Sequence, residues 1–455
     1  MSSPRYCVVG GGISGLVAAY RLRTLAGDDA DITVFDPADR LGGILRTERV
    51  AGQPMDVGAE AFVVRRPEVP ALLAELGLAG RQISTTGVRP TIFSQGRMHP
   101  LPADTVNGIP TSAASVTGLV DDATIAQMAA EPNRPLRWHA GTDPAVGDVV
   151  ADRFGEQVVA RSVDPMLSGV YAGSAATIGI RSAAPTLAAA LDAGAASLTD
   201  AGRRALPSST RGPVFGAIEG GYQVLLDELV ARSRLRWVQS SVAHIAPDGP
   251  GWNLRDDDGK HWHADAVIVA VPASRLAPLL AEAAPAAAAA AARIPVASAA
   301  VLALAVAGGT PLPAQSGVLV ASGERLHTKA ITLSTRKWGA RGNAELLRLS
   351  FGRFADGENN PARTTSDADL QDWAVADLRE VFGITVDPID VVVQRWLDAM
   401  PQYGPGHHEQ TAALRTDLPP TLAIAGNYLD GIGVPACVAA AGRAAERVVG
   451  ATIGR

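Results

Sequence analysis

The feature that most constrains this chain is a glycine-rich turn near its start, within residues 6–22, YCVVGGGISGLVAAYRL. Residues 6–9 form an apolar run that is typical of a strand covered on both faces of a parallel sheet. Gly10, Gly12 and Gly15 follow with the G-x-G-x-x-G spacing, which permits a tight turn, close approach of the backbone to a pyrophosphate and close packing of helix on strand. We therefore predict a strand, a turn and a helix whose N-terminus faces phosphate.

The residues after this turn complete a nucleotide-binding pattern. Ala18, Leu22 and Leu25 recur at helical spacing, which predicts an apolar helix face packed on the sheet. Residues 31–35 have the composition of a second strand, and Asp36 follows it about 20 residues after the last glycine, where an acid accepts a ribose hydroxyl. The alternative is a βαβ unit that binds no nucleotide, with Asp36 as a solvated charge.

A second glycine pair lies just beyond this acid. Gly42 and Gly43 end the stretch DPADRLGG at residues 36–43, and DVGAEAF follows at residues 56–62. Two places where the backbone must approach a large cofactor favour a flavin dinucleotide over a nicotinamide dinucleotide.

The composition indicates a globular protein of two or three domains. The 455 residues are 47% hydrophobic and 19% charged, which is ordinary for such proteins. A net charge of -6 without a dense block of Lys and Arg argues against a nucleic-acid partner. Cys7 and Cys437 have no metal or C-x-x-C spacing, and the first glycine motif leaves no room for a secretory signal before it. We therefore expect a cytoplasmic protein from a reducing compartment.

Neither a membrane span nor a metal site is predicted. The alanine-rich residues 286–292 are flanked by charged residues and prolines, which favours a surface helix over a transmembrane helix. His261 and His263 alternate along one strand and His407 is followed by another histidine, but no further ligand stands at a usable spacing. Peripheral contact with a membrane stays open.

The remaining chain predicts an interleaved architecture. Residues 103–205 have helical patterns and few strand signals, whereas residues 298–354 contain successive strand-like runs that indicate an antiparallel sheet. A strand at residues 422–425 and a helix from Pro435 end the chain. We predict an α/β (α+β multidomain) protein with a Rossmann-like FAD-binding domain (residues 1–88, 206–275 and 410–455), a helical insert (103–205) and an antiparallel-sheet substrate domain (89–102 and 276–409).

Several segments together resemble the flavin-containing porphyrinogen oxidases, relatives of the flavin amine oxidases. They are VVGGGISGLVAAYRL, DRLGG, DVGAEAF, VDPMLSGVYAGSAATIGIRSAAP (residues 163–185), EGGYQVLLDEL (219–229), DAVIVAVPA (265–273), MPQYGPGH (400–407) and AIAGNYLDGIGVPACVAAAGRAAE (423–446). The resemblance therefore extends over essentially the whole chain. Asp36 stands where many relatives carry glutamate, and Ile44 where some carry an aromatic residue.

The resemblance implies an FAD enzyme that oxidises coproporphyrinogen III with dioxygen and releases hydrogen peroxide in haem biosynthesis. No acid or base is clearly required, so no catalytic residue is assigned. The residues expected to bind FAD are Gly10, Gly11, Gly12, Ile13, Ser14, Gly15, Asp36, Pro37, Arg40, Gly42, Gly43, Ile44, Gly58, Ala59, Glu60, Ala61, Val242, Gly426, Asn427, Ile432, Gly433 and Val434.

The substrate is a broad apolar ring with carboxylate arms, so its pocket requires apolar walls and a few cations. We predict Gly169, Val170 and Tyr171 in the wall. Arg89, Lys329 and Arg65 are candidate cations.

Three other functions remain open: a protoporphyrinogen IX oxidase, a flavin amine oxidase, and a non-catalytic flavin or porphyrin carrier. Transient contact with neighbouring enzymes of haem synthesis is also possible.

Overall fold

The computed structural model describes residues 3–207 and 212–453. The strands in these ranges are β1 (Arg5–Val9), β2 (Asp31–Phe35), β3 (Thr47–Val50), β4 (Gln53–Asp56), β5 (Phe62–Val63), β6 (Gln82–Ser84), β7 (Thr91–Ser94), β8 (Arg97–Pro100), β9 (Thr105–Val106), β10 (Ile109–Pro110), β11 (Phe215–Ile218), β12 (Arg236–Val238), β13 (Val242–Asp248), β14 (Gly251–Asp256), β15 (His261–Ala264), β16 (Ala266–Val269), β17 (Val296–Ala307), β18 (Gly317–Val320), β19 (Ala330–Leu333), β20 (Ala344–Phe351), β21 (Pro388–Pro401) and β22 (Leu422–Ile424).

The helices in the same ranges are α1 (Ile13–Ala26), α2 (Glu68–Glu75), α3 (Asp122–Ala130), α4 (Val146–Phe154), α5 (Glu156–Val158), α6 (Asp164–Tyr171), α7 (Ile180–Ala183), α8 (Pro185–Asp192), α9 (Leu198–Ala205), α10 (Gln223–Ser233), α11 (Ala273–Leu280), α12 (Pro285–Ala291), α13 (Ser334–Trp338), α14 (Pro361–Thr364), α15 (Asp367–Phe382), α16 (His407–Thr416) and α17 (Val434–Ile453). A π-helical segment, Val159–Val163, joins α5 to α6.

A parallel sheet with the order β12-β2-β1-β16-β22 contains the glycine-rich turn. Helices α1, α10 and α17 cover one face, while β13–β15, α11 and α12 cover the other. Its strands come from the beginning, the middle and the end of the chain. Parallel neighbours require crossover connections, so long segments of the chain separate them. The predicted Rossmann-like sheet built from distant segments is confirmed.

The predicted apolar face of α1 is wrong at one position. Ala18 and Leu22 are fully buried, but Leu25 in the last turn is 44% exposed. There the interior is occupied by Arg23, whose guanidinium donates to the carbonyls of Ser233, Gly27 and Asp28. The aliphatic part of an arginine can pack like an apolar residue while its head group satisfies main-chain carbonyls.

The alanine-rich tract forms the expected surface helix, since Ala286 and Ala289 are exposed, but its other face is buried. It forms α12, in which Ala287, Ala288, Ala290 and Ala291 are between 0% and 8% exposed. The helix packs between α11 and α16, where small side chains allow close approach of the backbones. Within residues 3–207 and 212–453, no helix combines the length and the hydropathy required of a membrane span.

A second sheet has the order β21-β17-β20-β19-β18-β7-β8 among the described residues. It is antiparallel as predicted, except that β18 and β7 are parallel, because the hairpin β7–β8 joins this sheet from a much earlier part of the chain. Helix α15 covers one face, and residues 50–57 pack on the other. The segment after β4 therefore reaches from the nucleotide-binding sheet to the second sheet.

Helices α3–α9 form a separate hydrophobic layer, as predicted for the helical insert. An ion pair is buried in it, between Glu131 (0% side-chain exposure) and Arg153 (4%), at 2.8 Å. The Glu131 carboxylate also accepts from the main-chain nitrogens of Leu198 and Thr199. These contacts fix α9 against α4, while the exact domain boundaries stay a prediction.

Candidate functional site

The first glycine turn is closed by main-chain contacts that exclude side chains. The nitrogen of Gly10 donates to Phe35 O at 2.8 Å, which joins the turn to the end of β2. A Cβ on Gly10, whose φ is +107°, would lie 2.5 Å from Ala270 O, and one on Gly15 would lie 1.8 Å from Gly10 O. Glycine is therefore required at both positions by the backbone, and α1 begins directly at Ile13 with its first amides directed at the turn.

Asp36 is half-buried at the end of β2, beside the turn. Its Oδ2 accepts from Gly11 N at 2.7 Å and its Oδ1 accepts from Ala38 N at 3.0 Å. The carboxylate is therefore oriented by main-chain donors, as required of a group that receives a ribose hydroxyl. Pro37 follows on the surface, and Trp237 Nε1 donates to Asp36 O.

The second glycine pair lies directly against the first turn. Gly42 N donates to Gly11 O at 2.8 Å, and a Cβ on Gly43 would lie 3.0 Å from Gly12 Cα. Arg40 holds this loop, since its guanidinium donates to the carbonyls of Gly43 at 2.6 Å and Leu45 at 2.9 Å. The sequence had suggested these two glycine regions separately, and the structure brings them together.

Residues 57–61 run from this loop to the second sheet. A Cβ on Gly58 would lie 1.7 Å from Ile44 O, so this position also excludes a side chain. Arg348 from β20 donates to Gly58 O, and Trp396 from β21 donates through Nε1 to Val57 O at 2.9 Å. Ala59 and Ala61 are half-buried.

Glu60 is bonded to α13, the helix that follows β19 of the second sheet. Lys337 Nζ lies 2.6 Å from its Oε2, and Ser334 donates to its Oε1 at 3.2 Å. Burial opposes ionisation of Glu60, but the charges of Lys337 and Arg348 dominate and lower its pKa to about 2. The side chain is thus a permanent carboxylate that ties the segment to α13.

The loop before α17 forms another side of the site. Gly426 and Asn427 follow β22, and Asn427 Nδ2 donates to Ala399 O at 3.1 Å. Ile432 packs on the helical layer, Gly433 is exposed, and Val434 is the first residue of α17. Cys437 in the first turn of α17 contacts the Ser14 side chain in the first turn of α1, so the N-termini of both helices lie in the same region of the molecule.

Three further predicted cofactor residues lie close to these elements. Ile13 and Ser14 are buried in the first turn of α1, 5% exposed each. Val242 is 7% exposed at the start of β13, beside a β-bulge, and packs in the same cluster as Phe35 and Val9. It is therefore near the strand ends that carry Asp36.

One face of the second sheet is directed toward Gly58. Because side chains alternate along strands, Val301, Arg348 and Ser350 share this face. Arg348 Nε is buried and has no hydrogen-bond partner among the described residues, and burial lowers the pKa of this guanidinium. Gly169 on α6 approaches the same sheet at Leu319. Residues 50–57 cover this face at Val301, so the candidate cleft floor is its remaining part, with Arg348 and Leu319.

The predicted substrate residues are only partly brought together. Gly169 and Val170 are exposed, Val170 by 50%, and Tyr171 is half-buried at the end of α6. Arg89 and Arg65 are exposed at the surface and are not brought near the Gly58 face by any described contact.

Lys329 is buried at 5% exposure, with Nζ 2.7 Å from Gly352 O. Burial lowers its pKa to about 7. Lys329 directly precedes β19, and its main-chain nitrogen donates to Ser350 O at 2.8 Å, although Ser350 already pairs with Ala330. Two residues thus lie opposite one, which is a β-bulge that interrupts the alternation of side chains.

Sequence reasoning missed Asp56, Arg348 and Tyr403. A lone arginine within the apolar run LLRLSF was the available signal for Arg348, and Tyr403 lies in the MPQYGPGH motif, to which no role was given. Asp56 is the first residue of the DVGAEAF segment, but no role was given to it. It is 7% exposed, it accepts from Thr47 Oγ1 and from Tyr222 N, and burial raises its pKa to about 7.

The residues at the turn fit a flavin dinucleotide. At Gly10, Gly15, Gly42 and Gly58 a Cβ would collide with neighbouring protein atoms, so the two glycine loops pack backbone on backbone beside Asp36. The Tyr222 hydroxyl is fully buried without a hydrogen-bond partner among the described residues. Among residues 3–207 and 212–453, no group of three or more potential metal ligands occurs.

Known proteins share this architecture. The model of the flavin-containing amine oxidoreductase family matches residues 13–449. A coproporphyrinogen III oxidase from Mycobacterium tuberculosis (strain ATCC 25618 / H37Rv) is 66% identical over 449 residues, covering 99% of this chain and 98% of that protein. A coproporphyrinogen III oxidase from Bacillus subtilis (strain 168) is 27% identical, with 95% of each chain covered.

A crystal structure from Exiguobacterium sp. 255-15, provisionally named a protoporphyrinogen oxidase, has a TM-score of 0.87 and 26% identity, with 100% of both chains covered. The cyclohexylamine oxidase of Brevibacterium oxydans IH-35A has a TM-score of 0.73 at 16% identity, which shows the shared fold alone. The chain therefore belongs to the flavin-containing amine oxidoreductase family, in the branch of its porphyrinogen oxidases.

Proposed function

We propose that this protein is an oxygen-dependent FAD enzyme that oxidises coproporphyrinogen III to coproporphyrin III and releases hydrogen peroxide. The observation that carries the proposal is the 66% identity to the M. tuberculosis coproporphyrinogen III oxidase over 99% of this chain. The protein accordingly acts in haem biosynthesis.

The dinucleotide form of the flavin is supported by the oriented acid beside the glycine turn. Gly11 to Ser14 present main-chain amides to a pyrophosphate, and Asp36, held by Gly11 N at 2.7 Å, receives a ribose hydroxyl. Val242 contacts the adenine side. When bound, the flavin supplies hydride acceptance and reaction with dioxygen.

The flavin ring is expected along Gly58 to Ala61 and the loop from Gly426 to Val434. The N-terminus of α17 then directs its dipole at the electron-rich edge of the ring. Arg348 donates to Gly58 O and Trp396 donates to Val57 O, which fixes the segment along the ring. These chain segments then orient the ring and keep water from it.

The substrate is expected on the uncovered part of this sheet face, which carries Leu319, Arg348 and Ser350. A tetrapyrrole ring requires an apolar floor, and its carboxylate arms require donors, for which the buried Arg348 guanidinium has free capacity at Nε. Gly169 to Tyr171 form the opposite wall. Arg89 and Arg65 are left as surface candidates for carboxylates that extend from the cleft.

The strongest alternative substrate is protoporphyrinogen IX, because the Exiguobacterium structure carries that name. Such discrimination depends on a few charged contacts, since the two substrates differ in two carboxylate arms. The shared fold with cyclohexylamine oxidase keeps amine oxidation as a further alternative.

The test is aerobic turnover of the FAD-loaded protein on coproporphyrinogen III and protoporphyrinogen IX in parallel, with porphyrin fluorescence and peroxide measured against an enzyme-free control. We expect a higher kcat/KM for coproporphyrinogen III with peroxide formed. A higher kcat/KM for protoporphyrinogen IX would replace the substrate and leave the cofactor, whereas FAD binding without turnover of either would indicate a carrier or an amine oxidase.

A further inference from the structure

The MPQYGPGH motif connects the predicted substrate wall to the predicted flavin loop. The ring centroid of Tyr403 lies 5.6 Å from that of Tyr171 at the end of α6, and 3.9 Å from that of His407 at the start of α16. Tyr403 is 3% exposed and His407 is 1% exposed. Three rings, of which Tyr171 is half-buried and the other two are buried, thus form a continuous stack between the helical layer and the last part of the chain.

Both inner rings are bonded to the main chain of the flavin loop. The Tyr403 hydroxyl donates to Asn427 O, and His407 Nε2 lies 2.9 Å from Tyr428 O. A carbonyl only accepts, so Nε2 carries the proton. Burial lowers the pKa of His407 to about 4, which keeps the ring neutral at physiological pH. Two successive carbonyls ahead of α17 are therefore fixed by one motif.

The outer end of the stack is fixed to the substrate wall. Gln402 Nε2 donates to Tyr171 O at 2.8 Å, and the Tyr171 hydroxyl donates to Ser182 O at 3.3 Å. Gly179 N donates to Tyr403 O at 2.8 Å. A shift of Tyr171 is consequently transmitted to Tyr403 by ring contact and through Gln402.

We propose that Tyr403 and His407 are positioning residues that couple binding of the tetrapyrrole at Tyr171 to binding of FAD at the loop of Asn427 and Tyr428. This inference rests on the proposed function, because it assigns the two ligands to the two ends of the stack. Coupling of binding is reciprocal: each ligand raises the affinity for the other by the same factor.

The test uses Tyr403→Phe, which removes the donor to Asn427 and keeps the ring, and His407→Leu, which removes the donor to Tyr428. Tyr20→Phe is the control, since it also removes a hydrogen bond from a tyrosine hydroxyl. That bond joins Tyr20 on α1 to Glu75 at the end of α2. Coproporphyrin III, the product, is the probe. Its affinity is measured by fluorescence titration of apoprotein and FAD-loaded protein, and FAD affinity is measured with and without coproporphyrin III.

We expect FAD to tighten coproporphyrin III binding to the wild-type protein and to Tyr20→Phe by roughly 5- to 150-fold, the usual range of such coupling. The factor should fall toward one in Tyr403→Phe and His407→Leu, measured below the unfolding temperature of each apoprotein, which falls because each substitution leaves a carbonyl without its donor. A merely structural role would lower that temperature and leave the factor intact.

An unchanged factor in either variant, or a factor of one in the wild type, overturns the inference. Failure of the proposed function is seen separately, as absence of coproporphyrinogen III turnover by the FAD-loaded wild-type protein. Turnover with uncoupled binding would overturn only the role of Tyr403 and His407.

Discussion

Substitution of Gly15 by alanine is expected to disable FAD binding through a backbone clash. The new Cβ would lie 1.8 Å from Gly10 O, whereas real Cβ contacts do not fall below 3.0 Å, so the start of α1 must move by more than 1 Å. Because the obstructing atom is main chain, no side-chain rotation relieves the contact. Overpacking of this kind costs about 1–3 kcal/mol, and a main-chain partner favours the upper half of that range.

The apoprotein can relieve this contact by moving α1, whereas FAD binding requires the original turn. A penalty of about 2–3 kcal/mol on binding lowers FAD affinity by roughly 30- to 140-fold. Gly442→Ala in α17 is the matched control, because a Cβ there meets no atom within 4 Å and alanine favours helix by about 1 kcal/mol. Quenching of flavin fluorescence on titration of apoprotein measures both. Equal FAD affinity in Gly15→Ala and wild type would refute the argument that the turn contacts the dinucleotide.

Substitutions at three further residues test buried titratable groups. Glu131→Ala strands Arg153 and is expected to lower the free energy of unfolding by about 3–5 kcal/mol in urea denaturation, with a smaller loss in Glu131→Gln. Burial raises the pKa of Asp56 from 3.8 to about 7, so the free energy of unfolding should fall as pH rises from about 4 to 7, by up to about 4 kcal/mol; Asp56→Asn should remove that slope. Burial lowers the pKa of His407 from 6.5 to about 4, so stability should fall as pH drops through that window, by up to about 3 kcal/mol, and His407→Leu should remove that loss. A slope that persists in either variant would contradict the assigned group.

The sequence predicted the parts of the fold that local patterns determine. The apolar run at residues 6–9, the glycine spacing and Asp36 correspond to β1, the turn and the end of β2, because each depends on neighbouring residues. Leu25 shows the limit of periodicity: its face was correct for an isolated helix, but the space in the last turn is occupied by Arg23. The buried face of α12 was likewise not predicted, because its burial depends on α11 and α16.

The candidate site was less predictable, since its contacts join residues far apart in the chain. The bond from Arg348 to Gly58 O spans 290 positions, and that from Tyr171 O to Gln402 spans 231. Strand register determines that Arg348 shares a sheet face with Val301, and register was not available from composition. Arg89 and Arg65 were chosen for their charge alone, and both are exposed at the surface.

The most direct measurement of the central claim is anaerobic mixing of the FAD-loaded protein with coproporphyrinogen III in a stopped-flow spectrometer, with the absorbance of the oxidised flavin followed in time. The account predicts rapid loss of that absorbance at a rate that saturates with substrate, and its return with peroxide when dioxygen is admitted. Flavin that stays oxidised in the presence of coproporphyrinogen III, in protein shown to bind FAD, would contradict it.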